Sequence, residues 1–197
     1  MAAKSLKEKT ANGLLWGSIN SGAQQLLNLV FGIFLARLLS PADYGMVGML
    51  TIFSLLAGAL QESGFISALN RKKDITQEDY NAVFWFNVLC GAVLYVILFF
   101  CAPLIADFFD QPKLVPLARL SFLNFVFASW GTTPRAVLFR NLRVKETAWM
   151  SLAALFTSGV TGVTLAWNGF AYWGIAIQNI VYCAMMTFFS WYFSGWR

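Results

Sequence analysis

The sequence predicts an all-α integral membrane protein built as a six-transmembrane-helix bundle, and three observations predict it. The chain of 197 residues is 58% hydrophobic and 17% aromatic but only 12% charged, with mean hydropathy +0.62, whereas an ordinary soluble domain is about 25% charged. Six apolar stretches are each long enough to cross a hydrocarbon layer of about 30 Å at roughly 1.5 Å per helical residue. Lysine and arginine recur in every second connection between those stretches, the bias that marks the cytoplasmic loops of a multi-pass protein. Six such helices with short connections use the whole length. Residues 1–197 therefore read as a single membrane domain, with no soluble domain of ordinary size beside it.

The spans fall at 13–36, 44–69, 80–103, 116–138, 148–167 and 171–193. The first follows a charged head, "MAAKSLKEKT", but its apolar run is too long for a signal-peptide core and lacks a small-residue cleavage site, so it is expected to stay as a span. "LLSPADYG" ends it and opens the second, because proline and small polar residues stop one helix and start a turn. "NRKKDITQEDYN" reads as a solvated turn leading into the third span, which is apolar nearly all round apart from Asn87 and is expected to face lipid. "APLIADFFDQP" closes that span. The fourth is interrupted by Arg119, Asn124 and "GTTPR", and Pro134 is expected to kink or break it. The fifth, "SLAALFTSGVTGVTLAW", is rich in small residues that let helices approach closely. The sixth opens on an aromatic cluster, Phe170, Tyr172 and Trp173, placed as an interfacial belt. Its Gln178, Asn179 and Tyr182 are read as packing residues.

If the six spans alternate, Lys4, Lys7, Lys9, Arg71, Lys72, Lys73, Arg140, Arg143, Lys145 and Arg197 share one side, while Arg37 and Lys113 lie on the other. Both termini are therefore expected in the cytoplasm. The net charge of +5 is a topology signal on this reading, and no nucleic acid is expected as a partner. Histidine is absent, and Cys90, Cys101 and Cys183 all lie inside apolar runs, which leaves no metal-ligand spacing and no disulfide framework. There is no Gly-rich phosphate loop and no activated serine or cysteine arrangement, and the close carboxylates Asp107 and Asp110 fall in an expected external turn. No enzyme activity, metal or cofactor is expected.

The polar residues inside the spans carry the functional argument. At about 100° per residue, Gly17, Ser21, Gln24 and Asn28 stack along one line of the first span, flanked by Ser18, Asn20 and Gln25, with Leu26, Val30 and Ile33 on the far side. Unpaired amides are costly in hydrocarbon, so the stripe must meet other helices or water. Six polar groups exceed what helix packing uses, which favours a water-filled cavity. On the second span Thr51, Ser54, Gly58, Gln61 and Glu62 share a face, and Glu62, ionisable within the membrane, is either a structural ion pair or a functional group. On the fourth, Asn124, Ala128, Gly131 and Arg135 share a line. A guanidinium on a cavity wall suits phosphate, with forked donors and a charge that does not titrate. Arg135, deep and beside a proline, is read as such a group. Arg119, nearer the external end, either snorkels to the interface or joins the site.

The run "LARLLSPADYGMVGMLTIFSLLAGALQESGFISALNRKKDITQEDYNAVFWFNV", with "PRAVLFRNLRVKETA" and "GFAYWGIAIQNIV", resembles the amino-terminal half of bacterial polysaccharide flippases of the Wzx type. These belong to the superfamily that also holds the MATE drug exporters and the lipid II flippase. The resemblance covers nearly the whole chain and rests most on "LLSPADYG", on "ESGFISAL" with "FWFN", and on "PRAVLFRNL". It implies one six-helix lobe of a two-lobed MATE-like transporter that moves a polyprenyl-pyrophosphate-linked oligosaccharide across the bacterial inner membrane for surface polysaccharide synthesis. The chain stops at "WYFSGWR", where a first lobe would end. The expected partners are therefore the lipid-linked substrate, membrane lipid and a second six-helix lobe, supplied by a missing carboxy-terminal half or by another chain.

On that reading Arg135 and Arg119 attract the pyrophosphate, Gln24, Gln25 and Asn28 hydrogen-bond sugar hydroxyls, and Glu62 pairs with an arginine or binds a coupling cation. Two rivals stand beside it. A cation-coupled multidrug exporter of the same superfamily would carry acidic residues as the dominant charge of its cavity. A non-transporting membrane subunit of a glycan-assembly complex would account for the short chain.

Overall fold

The computed structural model describes residues 2–61, 76–141 and 143–195, with side chains from residue 17 onward. They form α1 (Ala2–Leu38), α2 (Pro41–Gln61), α3 (Gln77–Phe108), α4 (Leu114–Phe122), α5 (Asn124–Arg140), α6 (Val144–Trp167) and α7 (Ala171–Ser194). Helices α4 and α5 run on as one span, Leu114–Arg140, so six helices among the described residues are long and apolar enough to cross a membrane. This is the all-α membrane bundle that composition predicts. Residues 62–69, the end of the second expected span, lie outside the described residues.

Local chemistry sets the helix ends. Between α1 and α2, Ser40 Oγ donates to Asp43 Oδ2 at 2.7 Å and the Ser40 N–H to the same oxygen at 2.9 Å, while Pro41 occupies the first helical position, where its missing N–H costs nothing. Helix α3 opens on a capping box of Thr76 and Asp79. At the end of α6 the Phe170 N–H reaches the Leu165 carbonyl at 3.0 Å and the Gly169 N–H reaches that of Ala166 at 3.1 Å. Gly169 takes φ +82°, the left-handed position that this C-terminal motif reserves for glycine.

Helix α1 packs on α6, α6 on α7, α7 on α5 and α5 on α3; α4 lies against α3, and α2 rests on α7, α3 and α4. Small residues make the close approaches possible. A methyl added at Gly91 of α3 would lie 2.7 Å from Ser129 Cβ of α5, one at Gly174 of α7 would lie 3.3 Å from the Gly162 carbonyl of α6, and one at Gly159 of α6 would overlap the Phe31 ring of α1. Helix α6, the span rich in small residues, is accordingly the most enclosed of the six, and α1 is the least. The main apolar core gathers Ala102, Ile105, Leu114, Leu117 and Phe122 of the α3–α4 corner around Leu50 and Ala57 of α2.

Two expectations need correction. The fourth span does break, but at Leu123 and not at Pro134. There the backbone tightens to i→i−3 bonds, Leu123 N–H to Leu120 O and Val126 N–H to Leu123 O, both at 3.1 Å. Pro134 lies buried inside α5. The carbonyl it leaves without a helical donor is that of Trp130, and Trp191 Nε1 of α7 donates to it at 3.0 Å, so the helix continues. The third span, expected to face lipid, has an internal face as well. Asn87 is buried with Nδ2 on the Val83 carbonyl at 2.8 Å, and Gly91 meets α5. Its lipid-compatible face carries exposed Trp85, Leu89 and Phe100. Helix α3 also runs through Pro103 to Phe108, past the breaker expected to stop it.

Candidate substrate cavities

Among the described residues, two cavities gather the polar groups of the spans. The larger, 580 Å³, lies between α2 and the α4–α5 span, with Ser54, Gly58 and Gln61 on one wall and Ser121, Asn124, Ala128, Thr132 and Arg135 on the other. Helical spacing explains both walls: Ser54, Gly58 and Gln61 recur every three or four residues along α2, beside the buried Leu50 and Ala57. Gln61 Nε2 donates to the Phe125 carbonyl at 3.0 Å, tying α2 to the opposite wall. Asn124 Oδ1 and Ser121 Oγ are buried and have no protein partner among the described residues, so this wall holds unspent polar atoms as well as a cation.

That cation is held along its own helix. Arg135 Nε donates to the Gly131 carbonyl at 3.0 Å and Nη2 to the Ala128 carbonyl at 3.2 Å. Gly131 makes the arrangement possible, since a methyl there would sit 2.9 Å from Arg135 Nη2 and 2.6 Å from Thr187 Oγ1 of α7. Thr187 Oγ1 is itself held on the Phe127 carbonyl at 2.8 Å. No acidic residue among those described lines the cavity. A guanidinium held on two backbone carbonyls keeps further donors with which to meet an anion.

The smaller cavity, 280 Å³, is bounded by Gln24 and Asn28 of α1, Leu155 and Ser158 of α6, and Gln178, Asn179 and Tyr182 of α7, with no charged residue on its wall among those described. The polar stripe of α1 divides at its edge. Asn20 and Gln24 turn to α6, where Gln24 Nε2 donates to Ser151 Oγ at 3.4 Å and Ser151 Oγ lies 3.2 Å from Asn20 Oδ1. Ser18, Ser21, Gln25 and Asn28 occupy an adjoining exposed strip. Leu26, Val30 and Ile33 form a separate, apolar exposed edge. One edge of α1 thus suits water and the other lipid.

Of the residues singled out from sequence, Arg135 lines the larger cavity, and Gln24 and Asn28 line the smaller. Gln25 is exposed beside neither. Arg119 lies outside both, its guanidinium 4.2 Å from the centre of the Phe99 ring, with Nε lacking a hydrogen-bond partner among the described residues. Glu62 lies outside the described residues. Gly131, placed by spacing on the Arg135 line, is not among the lining residues but lies beneath the Arg135 guanidinium and against Thr187. Gln178, Asn179 and Tyr182, read as packing groups, lie on a cavity wall; two adjacent amides and a hydroxyl within a single turn of an apolar helix were the available signal. Among the described residues no group of three His, Cys, Asp or Glu could hold a metal ion.

Comparison with known proteins fits this architecture. A family model described as polysaccharide biosynthesis protein matches residues 34–197. The chain is 29% identical over 178 residues to the lipopolysaccharide biosynthesis protein WzxC of Escherichia coli K12, an alignment covering 90% of this chain and 35% of that one. It is 28% identical over 138 residues to the teichuronic acid biosynthesis protein TuaB of Bacillus subtilis 168, covering 70% and 29%. It is 28% identical over 167 residues to the succinoglycan biosynthesis transport protein ExoT of Rhizobium meliloti 1021, covering 84% and 34%. The chain spans about a third of the length of these relatives. No solved structure matches it. With six helices able to cross a membrane and a family match over most of its length, the chain is a multi-pass membrane protein of the polysaccharide biosynthesis protein family, as the resemblance to Wzx-type proteins implies.

Proposed function

We propose that this chain forms the first lobe of a non-enzymatic transporter that carries a polyprenyl-pyrophosphate-linked oligosaccharide across the bacterial inner membrane, with both ends of the chain in the cytoplasm. A sugar-pyrophosphate head group cannot cross hydrocarbon unaided, so it needs a polar cleft while its lipid tail stays in the bilayer. The observation that carries the reading is Arg135: a permanent cation on the wall of a 580 Å³ cavity within the spans, whose lining among the described residues includes no carboxylate. The sign of that charge argues against an exporter of cationic drugs. A second lobe would close the exposed polar edges of α1 and α2, and rocking of the two lobes would alternate access.

The test is export of surface glycan by cells that lack their own copy of the protein and receive the complete transporter carrying a substitution. A charge-assisted contact to phosphate contributes about 1.5–3 kcal/mol, so Arg135→Gln should lower export roughly tenfold or more. Arg135→Lys keeps the charge but loses the fork and should restore only part of it. Parental export by Arg135→Gln at normal membrane abundance would refute the reading.

A further inference from the structure

We propose that the 280 Å³ cavity between α1, α6 and α7 is a separate binding site for one neutral sugar ring of the transported glycan; this rests on the transport reading above and adds a subsite of its own chemistry.

The wall is polar and uncharged at a depth where neither property comes free. Asn28 lies halfway along the Gly17–Leu38 span, and Tyr182 halfway along the 24-residue α7. Gln24, Asn28, Gln178 and Asn179 each offer donors and an acceptor, and Ser158 and Tyr182 offer hydroxyls. The protein does not use all of this capacity itself. Gln178 Oε1 is buried without a hydrogen-bond partner among the described residues. Gly162 opposite it is part of the same arrangement, because a methyl there would overlap the Gln178 amide. A buried acceptor left unpaired is unfavourable; as placed it is turned to Gly162, and a rotation of the Gln178 side chain toward the cavity would let a donating ligand remove the deficit. Sugar hydroxyls donate and accept at once, which is what a ring of amides and hydroxyls complements. Leu155 and the Tyr182 ring supply apolar surface for the C–H face of such a ring.

Size and position narrow the ligand further. The cavity lies at the lower limit of small-molecule sites, about 300 Å³, which suits one ring and not a whole oligosaccharide. It adjoins the Arg135 cavity by a single residue step on α7. Tyr182 lines the neutral wall, while the next residue, Cys183, places Sγ 3.7 Å from the carbonyl of Asn124, which lines the cationic one. Among the described residues the neutral wall has no Lys or Arg, so the cavity gives an acidic sugar no reward for its carboxylate. A bare cation fits less well than a hexose, since no carboxylate among the described residues lines the cavity.

Two single cysteines separate this proposal from the reading beneath it: Asn179→Cys, at an exposed position on the neutral wall, and Ser54→Cys, on the α2 wall of the cationic cavity. The protein as produced, in lipid nanodiscs, is treated with a small polar thiol reagent, and the parent with its own Cys90, Cys101 and Cys183 sets the background. The probes are polyprenyl pyrophosphate and polyprenyl-pyrophosphoryl glucose. Both lipids should slow labelling of Ser54→Cys. Only the glucose-bearing one should slow Asn179→Cys, by about fivefold at roughly four times its dissociation constant. If both lipids slow Ser54→Cys and neither slows Asn179→Cys, the sugar site is overturned and the transport reading stands. Equal slowing of Asn179→Cys by both lipids makes the cavity a phosphate or lipid site and also overturns it. If neither thiol is slowed by either lipid, the transport reading fails and takes the sugar site with it.

Discussion

A methyl group added at Gly91 would lie 2.7 Å from Ser129 Cβ and 3.0 Å from the Phe125 carbonyl, whereas one at Gly58 would meet nothing within 4 Å. The two glycines look alike in sequence, each inside an apolar run, and only the packing of α3 on α5 separates them. Gly91→Ala should destabilise the protein by about 1–3 kcal/mol, the usual cost of overpacking, and Gly58→Ala should leave stability unchanged or slightly raised. Thermal unfolding of the purified protein in detergent would compare them, and equal midpoints would show that α3 and α5 are not in contact there. The same asymmetry governs what was legible at the candidate site. Arg135 declares itself, because a cation inside an apolar span needs a reason. Gln178, Asn179 and Tyr182 do not, because the same polar groups serve packing or a cavity according to which way α7 faces, and that depends on α6 having α1 on its other side.

Helix α5 stays whole around Pro134 because another helix donates what proline removes, and that exchange can be measured. Trp191→Phe deletes the indole N–H on the Trp130 carbonyl and should cost roughly 1–3 kcal/mol through an acceptor left unsatisfied on a span that faces hydrocarbon. In a Pro134→Ala background the backbone regains an N–H four residues after Trp130, so the same Trp191→Phe change should cost clearly less. Additive effects in the double-mutant cycle would mean that the indole bond does not serve the proline gap. Sequence supplied the proline and not its remedy, since the donor lies 61 residues away. Helix starts were more legible. Proline after serine in "LLSPADYG" and the T-x-x-D of "TQED" are local signals, and both act as caps here.

At the scale of the molecule, apolar length gave the six spans, and nothing in the sequence gave their order in space, because helix-to-helix packing between apolar faces is degenerate in composition. Orientation across the membrane is a separate, testable expectation from the basic residues. A cysteine replacing Gln111, in the turn between α3 and α4, should react in sealed cells with a membrane-impermeant thiol reagent, and one replacing Asn141, between α5 and α6, should not. Labelling of the Asn141 position alone would invert the proposed topology. The packing order also bears on how the chain comes into being. Gln24 of α1 finds its partner, Ser151, 127 residues later in the chain, and α1 touches little besides α6. At about 5–20 residues per second of synthesis, roughly 6–25 s separate their appearance from the ribosome. Helix α1 thus docks long after it is made. Through that interval Asn20 and Gln24 need shelter from hydrocarbon, and it ends only when the fifth span arrives.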